Sequence, residues 1–380
     1  MAKIKNIDEE RDNKAEISKN LLGSLLNGYR EDHYTFIQDQ PYNISSGSLI
    51  LDSFISVKTG SVLRIGGASA EVGKTSQCFL FADSFMKTVP KSKSIYVKTE
   101  ARLSEEMKKR TGLNFVCTAE NWSYSTVFVL DCNRLEVICQ MIEPLLKSMY
   151  EQGEHLCIII DSIDSLTLRA SIAKEFGERT AIASIPFLTK ELFRRLALPI
   201  NKYNALLLFT SQYSSTIKLD PYSKEPPKLM EGSSANALNH QSEYALYYRH
   251  RYQSDYILEN QDEKPDPVKN KIIGVYATVE IKKSASDVSG TILKIPIKRN
   301  RVGNAVWTQK EVGDMLLQWS LASKAGAGWI SFAPEILKEA KEFGLEIKEK
   351  LQGLNNLYSY LDENKKICDW FYNKIKTVIS

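Results

Sequence analysis

The chain has 380 residues, of which 43% are apolar and 25% are charged, with a net charge of +4. These values predict a soluble protein with one large core and small appendages, and the charge alone does not argue for nucleic-acid binding. No stretch approaches 18 apolar residues, and the first residues are too charged for a signal peptide, so we predict no membrane partner and a cytoplasmic location. The six cysteines lack paired spacing and the four histidines form no ligand pair, which predicts buried thiols in a reducing compartment.

The first predicted element is an amphipathic helix over residues 8–29. A single helix cannot bury its apolar stripe alone, so it packs either on its own core or on a neighbouring subunit, and the sequence leaves both alternatives open. A short β-prone piece follows at residues 34–37. We assign residues 1–41 to an oligomerisation segment made of this helix and strand. The residues of the stripe are Ile17, Leu21, Leu22, Leu25 and Leu26.

Residues 60–86 have the pattern of a strand, a glycine-containing turn and a helix. Backbone amides of such a turn, together with the dipole of the following helix, bind phosphate groups. Gly73 would allow close backbone approach, Lys74 would reach the β- and γ-phosphates of a nucleotide, and the Thr75 hydroxyl would bind Mg²⁺. The strict phosphate-loop pattern has a glycine where this chain has Ala68. The other predicted nucleotide contacts are Ala70, Glu71, Val72 and Ser76.

A second half of the same site is predicted at residues 156–162, where an unbroken apolar run ends at Asp161. Such a run is typical of a strand buried on both faces of a parallel sheet, and an aspartate at its end would bind Mg²⁺. Two halves of one nucleotide-binding site, each in the right sequence context, are a more specific signal than either half alone. They predict an α/β fold with a P-loop nucleoside triphosphatase core, and ATP with Mg²⁺ as its ligands.

The stretch that precedes this turn, residues 44–52 with the sequence ISSGSLILD, resembles a stretch at the same place in RecA-type recombinases of bacteria and in their relatives from T-even phages. The resemblance covers roughly residues 42–329. It implies a RecA-like core over residues 42–303, with a twisted, mostly parallel sheet and DNA-binding loops. It also implies a small α-rich domain over residues 304–380 and hints at a phage gene expressed in a bacterial host.

The resemblance implies roles for individual residues of the core. Glu100 ends a predicted strand, where side chains face the ligand crevice, and would polarise the water that attacks the γ-phosphate. Gln212 would sense the γ-phosphate. Lys283, or its neighbour Lys282, would reach across a subunit interface to the phosphate of the adjacent protomer. Met107 stands where the family commonly has a tyrosine against adenine.

Two DNA-binding loops are implied as well, at residues 166–179 and 213–235. The net charge is +1 over residues 167–181 and zero over residues 213–235, so binding would depend on repetition along a filament. A plain surface loop is the alternative for the second. The predicted DNA contacts are Arg169, Lys174 and Arg179 in the first loop, and Tyr213, Lys218, Lys224 and Lys228 in the second.

Beyond the loops, residues 276–283 and 291–297 alternate like the two strands of a hairpin, and residues 313–322 and 334–351 have helical patterns. The acidic tail that is frequent in the family is missing. If that tail restrains binding to duplex DNA in the family, no such restraint operates in this chain.

The resemblance therefore implies a DNA-dependent ATPase that assembles as a homo-oligomeric helical filament on single-stranded DNA and exchanges strands with homologous duplex DNA. Single-strand-binding or mediator proteins would be further partners. Within the cytoplasm, the protein would act at the nucleoid or at a site of DNA replication. A hexameric helicase with the same core is the alternative within enzymes. An ATP-gated assembly or mediator protein that binds little DNA is the alternative outside recombination.

Overall fold

The computed structural model describes residues 19–28, 40–67, 72–100, 103–169, 184–215, 229–231, 239–260, 264–266 and 268–379. The chain falls into two compact units, residues 1–40 and residues 41–380. In the first unit, residues 19–28 form a helix on which Leu21, Leu22 and Leu25 are exposed. The predicted helix is thus confirmed over the described part of its span. The surface on which its apolar stripe packs remains open, as the sequence left it. The β-prone piece at 34–37 lies outside the described residues.

The second unit alternates strands and helices along most of its length. Its strands are β1 (Asn43–Ile44), β2 (Val57–Lys58), β3 (Val62–Gly67), β4 (Ser92–Lys98), β5 (Asn114–Val116), β6 (Thr126–Asp131), β7 (His155–Asp161), β8 (Leu206–Ser215), β9 (Leu229–Glu231), β10 (Tyr244–Tyr248), β11 (Tyr256–Leu258), β12 (Ile272–Lys283), β13 (Ile292–Lys298), β14 (Ala322–Lys324), β15 (Trp329–Phe332) and β16 (Lys350–Gln352). Its helices are α1 (Leu49–Asp52), α2 (Lys74–Thr88), α3 (Glu105–Thr111), α4 (Leu135–Glu151), α5 (Ser184–Lys202), α6 (Thr308–Gln318), α7 (Pro334–Glu342), α8 (Leu354–Glu363) and α9 (Lys365–Ile379).

Eleven of the described strands form one sheet. Its order is β11-β12-β10-β3-β8-β7-β4-β6-β5, with β13 paired to β12 and β9 paired to β8. Every neighbouring pair from β10 to β5 is parallel, whereas β9, β11, β12 and β13 pair antiparallel. The predicted α/β class with a mostly parallel sheet is confirmed, and so is the hairpin, which β12 and β13 form.

Helices cover both faces of the parallel part of this sheet. One hydrophobic cluster lies between the sheet and α2, and the other lies between the sheet and α4 with α5. In β7, Cys157 and Ile159 belong to the first cluster, whereas Ile158 and Ile160 belong to the second. Because successive side chains of a strand point to opposite faces, a strand covered on both sides needs an unbroken apolar run. This explains the sequence that led to the prediction for β7.

Residues 304–380 contain a third hydrophobic cluster, built mainly from α6 to α9. The strands β14, β15 and β16 add a small antiparallel sheet that the sequence did not predict. The two predicted helices had wrong boundaries: the first is Thr308–Gln318, and the second ends at Glu342, after which Gly344 has φ 73°. A positive φ suits glycine and interrupts a helix.

No helix in the described ranges is long and apolar enough to cross a membrane.

A buried carboxyl group joins the start of α1 to α6. Glu311 is fully buried; it accepts a hydrogen bond from the Ser48 hydroxyl and another from the Leu49 amide, at 3.1 Å. The Ser48 hydroxyl also accepts from the Leu51 amide and so caps α1. Burial raises the pKa of Glu311 from 4.5 to about 8. The side chain is therefore protonated in the folded protein at pH values where it is ionised in the unfolded chain.

We expect this group to make the protein less stable as the pH rises. Below pH 4.5 Glu311 is protonated in both the folded and the unfolded protein. Between pH 4.5 and about pH 8 only the folded protein keeps this proton, so the favourable contribution of Glu311 to the free energy of unfolding is lost over this window. The loss is at most about 1.4 kcal/mol per pH unit. Glu311→Gln should flatten the dependence of the unfolding free energy on pH, measured by urea denaturation between pH 5 and 8. The exposed Glu346→Gln is the control, and equal slopes in all three proteins would contradict the prediction.

Candidate functional site

Four neighbouring parallel strands bring the predicted site residues to one edge of the sheet. Asp161 ends β7, Gln212 lies near the end of β8, Glu100 follows β4 by two residues, and β3 leads into the turn before Lys74. In an open α/β sheet, ligands bind in the crevice at the carboxyl ends of the strands. The residues predicted from distant parts of the sequence are therefore brought together.

α2 begins directly after Gly73, which has φ 118° and precedes the first helical residue, Lys74. Residues that carry a side chain rarely adopt this backbone conformation, so glycine is needed here. At Gly67 a Cβ atom would lie 2.8 Å from Val72 Cγ2, so this position also requires glycine. The first amides of α2 have no carbonyl acceptor within the helix, and with the helix dipole they suit an anion. Ala70 and Glu71 lie outside the described residues.

Asp161 accepts three hydrogen bonds from hydroxyl groups. The Thr75 Oγ1 atom donates to Oδ2 at 2.7 Å, the Tyr96 hydroxyl donates to the same oxygen at 3.0 Å, and Thr210 Oγ1 donates to Oδ1 at 2.5 Å. The two predicted metal-binding residues, Thr75 and Asp161, are therefore in contact. Tyr96 and Thr210 were not predicted; the only signal in the sequence was a polar group inside each apolar strand.

No group of three or more His, Cys, Asp or Glu side chains within the described ranges could hold a metal ion. A carboxylate beside a hydroxyl is still a suitable donor set for Mg²⁺, which commonly takes one or two carboxylates and completes its shell with water and phosphate oxygens. The residues present therefore fit a divalent ion that arrives with a phosphorylated ligand.

The Glu100 carboxylate lies in a second hydrogen-bonded group beside the first. Its Oε1 atom accepts from the Ser162 hydroxyl, from the Ser165 hydroxyl at 3.0 Å and from Gln212 Nε2 at 3.0 Å. The backbone amide of Gln212 donates to Asp164 Oδ2 at 2.6 Å. Sequence reasoning found Glu100 and Gln212 but missed the two serines and the aspartate, which follow β7 in and next to a short 3-10 helix, Ile163–Ser165.

Lys74 lies close to these carboxylates. Burial lowers the pKa of the Lys74 amine, while the charges of Asp161, Glu100 and Asp164 oppose that change. Burial raises the pKa of Asp164 in turn. Lys74 thus faces several carboxylates, and a divalent ion bound beside Asp161 would add further positive charge there.

Lys74, Glu100 and Asp161 line a cleft of about 940 Å³. Apolar side chains from α3 and from the β12–β13 hairpin form another part of its wall, and Met107 is among them, with Ser76 Oγ 3.9 Å from its sulfur atom. The cleft is large enough for a ligand of the size of a nucleotide. Basic residues that sequence reasoning did not place in the cleft also line it, namely Lys109, Arg110, Arg251, Lys298, Arg299 and Arg301.

The predicted DNA contacts are only partly described. Arg169 is exposed, and its amide donates to the Glu136 carboxylate at 3.1 Å. The boundary predicted for the second loop is wrong, because β8 continues through Ser215 and its last residues pair with β9. Tyr213 therefore lies in a strand and is only 6% exposed, which leaves little of its ring for a DNA base. The others, Lys174, Arg179, Lys218, Lys224 and Lys228, lie outside the described residues.

The two adjacent lysines near the end of β12 have different partners. The Lys283 amine donates to the Asn239 carbonyl at 2.7 Å and to the His240 carbonyl at 3.4 Å. The Lys282 amine lies 2.6 Å from the Glu280 carboxylate. Lys283 is thus held within its own subunit here, and a role at a neighbour's phosphate stays a prediction that would require this contact to break.

Comparison with models of known protein families gives no match, and comparison with curated proteins gives none either. We therefore infer what this chain does from the chemistry of the cleft.

Proposed function

We propose that this protein is an ATP-dependent DNA recombinase of the RecA type, which forms helical filaments on single-stranded DNA and promotes homologous pairing and strand exchange. The observation that carries the proposal is the hydrogen bond of 3.0 Å from Gln212 Nε2 to Glu100 Oε1. It connects a carboxylate suited to activating water with the strand that leads into the predicted second DNA-binding loop. Such a connection would couple DNA binding to hydrolysis.

The ligand in this proposal is ATP with Mg²⁺. The first turn of α2 and the Lys74 amine would hold the phosphates, and Thr75 with Asp161 would hold Mg²⁺. When bound, Mg²⁺ neutralises charge on the phosphates. The volume of about 940 Å³ leaves room for the nucleoside between α3 and the β12–β13 hairpin. A contact of Met107 with adenine remains part of the proposal.

Glu100 would act as the base that takes a proton from the attacking water. Its hydrogen bonds from Ser162, Ser165 and Gln212 fix the orientation of the carboxylate before a substrate arrives. The Gln212 amide can donate either to Glu100 or to a γ-phosphate. A change of partner would reorient the Gln212 side chain, and the chain that follows β8 would respond to the state of the nucleotide.

Filament assembly is supported by features outside the cleft. The helix at residues 19–28 presents exposed leucines, as expected for a segment that packs on another subunit. Because the net charge of the predicted DNA loops is weak, binding of DNA by these loops would depend on many subunits acting together along a filament. Lys283 would complete the neighbour's site only in such an assembly.

Electron microscopy of negatively stained protein with a slowly hydrolysed ATP analogue, with and without single-stranded DNA, tests the proposal. We expect long helical filaments that require both ligands, and ATP hydrolysis that single-stranded DNA stimulates. Closed rings would instead favour a hexameric helicase. Free subunits whose hydrolysis is insensitive to DNA would favour an ATP-gated assembly protein and would contradict the recombinase.

A further inference from the structure

An arginine is buried in the middle of the strand that leads into the phosphate-binding turn. Arg64 is 1% exposed, and its neighbours in β3, Leu63 and Ile65, are fully buried. Burying a guanidinium group is unfavourable unless hydrogen bonds and favourable charges surround it. An apolar residue would fill this position without the unfavourable burial of a charge. The partners of Arg64 therefore indicate what the arginine does here.

The partners of Arg64 lie on both sides of the residue that the proposed function needs most. Its Nε atom donates to Ser211 Oγ at 2.9 Å, and its guanidinium carbon lies 4.9 Å from the centre of the Tyr213 ring. Ser211 and Tyr213 flank Gln212 in β8. Because side chains alternate along a strand, both face Arg64 while Gln212 faces the opposite side, toward Glu100.

A third contact holds the chain where it returns after the predicted second DNA-binding loop. The Arg64 Nη1 atom donates to Asn239 Oδ1 at 2.6 Å, and the carbonyl of Asn239 accepts from Lys283. The described residues that precede and follow the loop are therefore connected through one guanidinium group. That group belongs to the same strand as the phosphate-binding turn.

The packing around Tyr213 leaves little freedom for β8 to shift relative to β3. A Cβ atom at Gly66 would lie 2.3 Å from Tyr213 Cε2, so the ring fits only because this residue is glycine. The ring also contacts Tyr247 of β10 edge-on, with centroids 4.7 Å apart. Hydrogen bonding and packing together fix the position of β8 relative to β3 on either side of Gln212.

We propose that Arg64 is a positioning residue for Gln212: by holding Ser211, Tyr213 and Asn239, it sets the Gln212 side chain against Glu100 and ties both sides of the predicted DNA-binding loop to the strand before the phosphate-binding turn. The inference rests on the proposed function, since it assigns the coupling of DNA to ATP hydrolysis to this contact. Arg64 touches neither the nucleotide nor the DNA in this scheme.

A double-mutant cycle tests the inference. Arg64→Lys keeps the charge but loses the branched set of donors. We expect it to lower kcat for DNA-stimulated ATP hydrolysis about tenfold while KM for ATP changes by less than about twofold. In a Gln212→Ala background the same substitution should cause no further loss, because the residue that it positions is gone. Arg195→Lys, at an exposed arginine, is the matched control.

A merely structural role would lower the melting temperature, but its effect on kcat would multiply with that of Gln212→Ala, and this result would overturn the inference. Asn239→Ala provides a second cycle that leaves the guanidinium group in place, in case Arg64→Lys does not fold. It should also show no added effect with Gln212→Ala, and multiplying effects there would overturn the inference equally. Wild-type protein without DNA-stimulated hydrolysis would overturn the proposed function and the inference together, whereas multiplying effects in an active protein would overturn the inference alone.

Discussion

Replacing Lys74 with alanine is expected to abolish DNA binding that depends on ATP and to slow ATP hydrolysis by at least about 100-fold. The Lys74 amine is the cation that faces Asp161 and Glu100 at the start of α2, and its loss would leave the phosphates opposite uncompensated carboxylates. The measurement is binding of labelled single-stranded DNA, followed by fluorescence anisotropy with and without a slowly hydrolysed ATP analogue.

The matched control for this experiment is Lys87→Ala. Lys87 lies in the last turn of the same helix, with a side chain that is 73% exposed and pairs with Asp83. It should bind DNA and hydrolyse ATP like the wild type. Nucleotide-dependent DNA binding that survives in Lys74→Ala would contradict the assignment of this turn to the phosphates and, with it, the proposed function.

Glu100→Gln should separate nucleotide binding from hydrolysis. The amide keeps the size of the side chain and can still accept from Ser162 and Ser165, but it cannot take a proton from water. We expect hydrolysis to fall by about 100- to 10,000-fold, the range for loss of a general base. Affinity for ATP should be equal to or higher than that of the wild type, since one negative charge leaves the cleft. Filaments formed with ATP should persist instead of disassembling.

The rate is measured in single turnovers, and the affinity is measured separately by titration with a fluorescent ATP analogue. Glu105→Gln serves as the control, because Glu105 begins α3 and its exposed carboxylate pairs with Lys108. If Glu100→Gln hydrolyses ATP at the wild-type rate, the base lies elsewhere and Glu100 only orients Gln212.

Sequence patterns predicted the parts of the site that are contiguous in the chain. The turn before Lys74 and the strand that ends at Asp161 each have a local signature, and their neighbouring strands followed from the α/β class. Single polar residues within strands were missed. Thr210 and Tyr96 contact Asp161 across sequence separations of 49 and 65 residues, and alternation within one strand does not tell which neighbours it will meet.

Two other differences between the predictions from the sequence and the structure have similar causes. The strands β14 and β16 have three residues each, too few to show alternation, so the small antiparallel sheet was not predicted. Tyr213 was assigned to a loop because the resemblance implies a DNA-binding loop directly after Gln212. Its place in β8 depends on the space that Gly66 leaves for its ring, and only the pairing of β3 with β8 reveals that space.

The position of β3 in the sheet also determines when this site can form during synthesis. Leu63 pairs with Leu208 on one side and with Tyr244 on the other, so both neighbours of β3 are made long after it. Contacts this distant in sequence form late and slowly, because a long loop must close first. A growing chain therefore carries the residues around Lys74 well before it can hold them in place. The cleft is completed only when synthesis has passed β13, because the β12–β13 hairpin forms part of its wall.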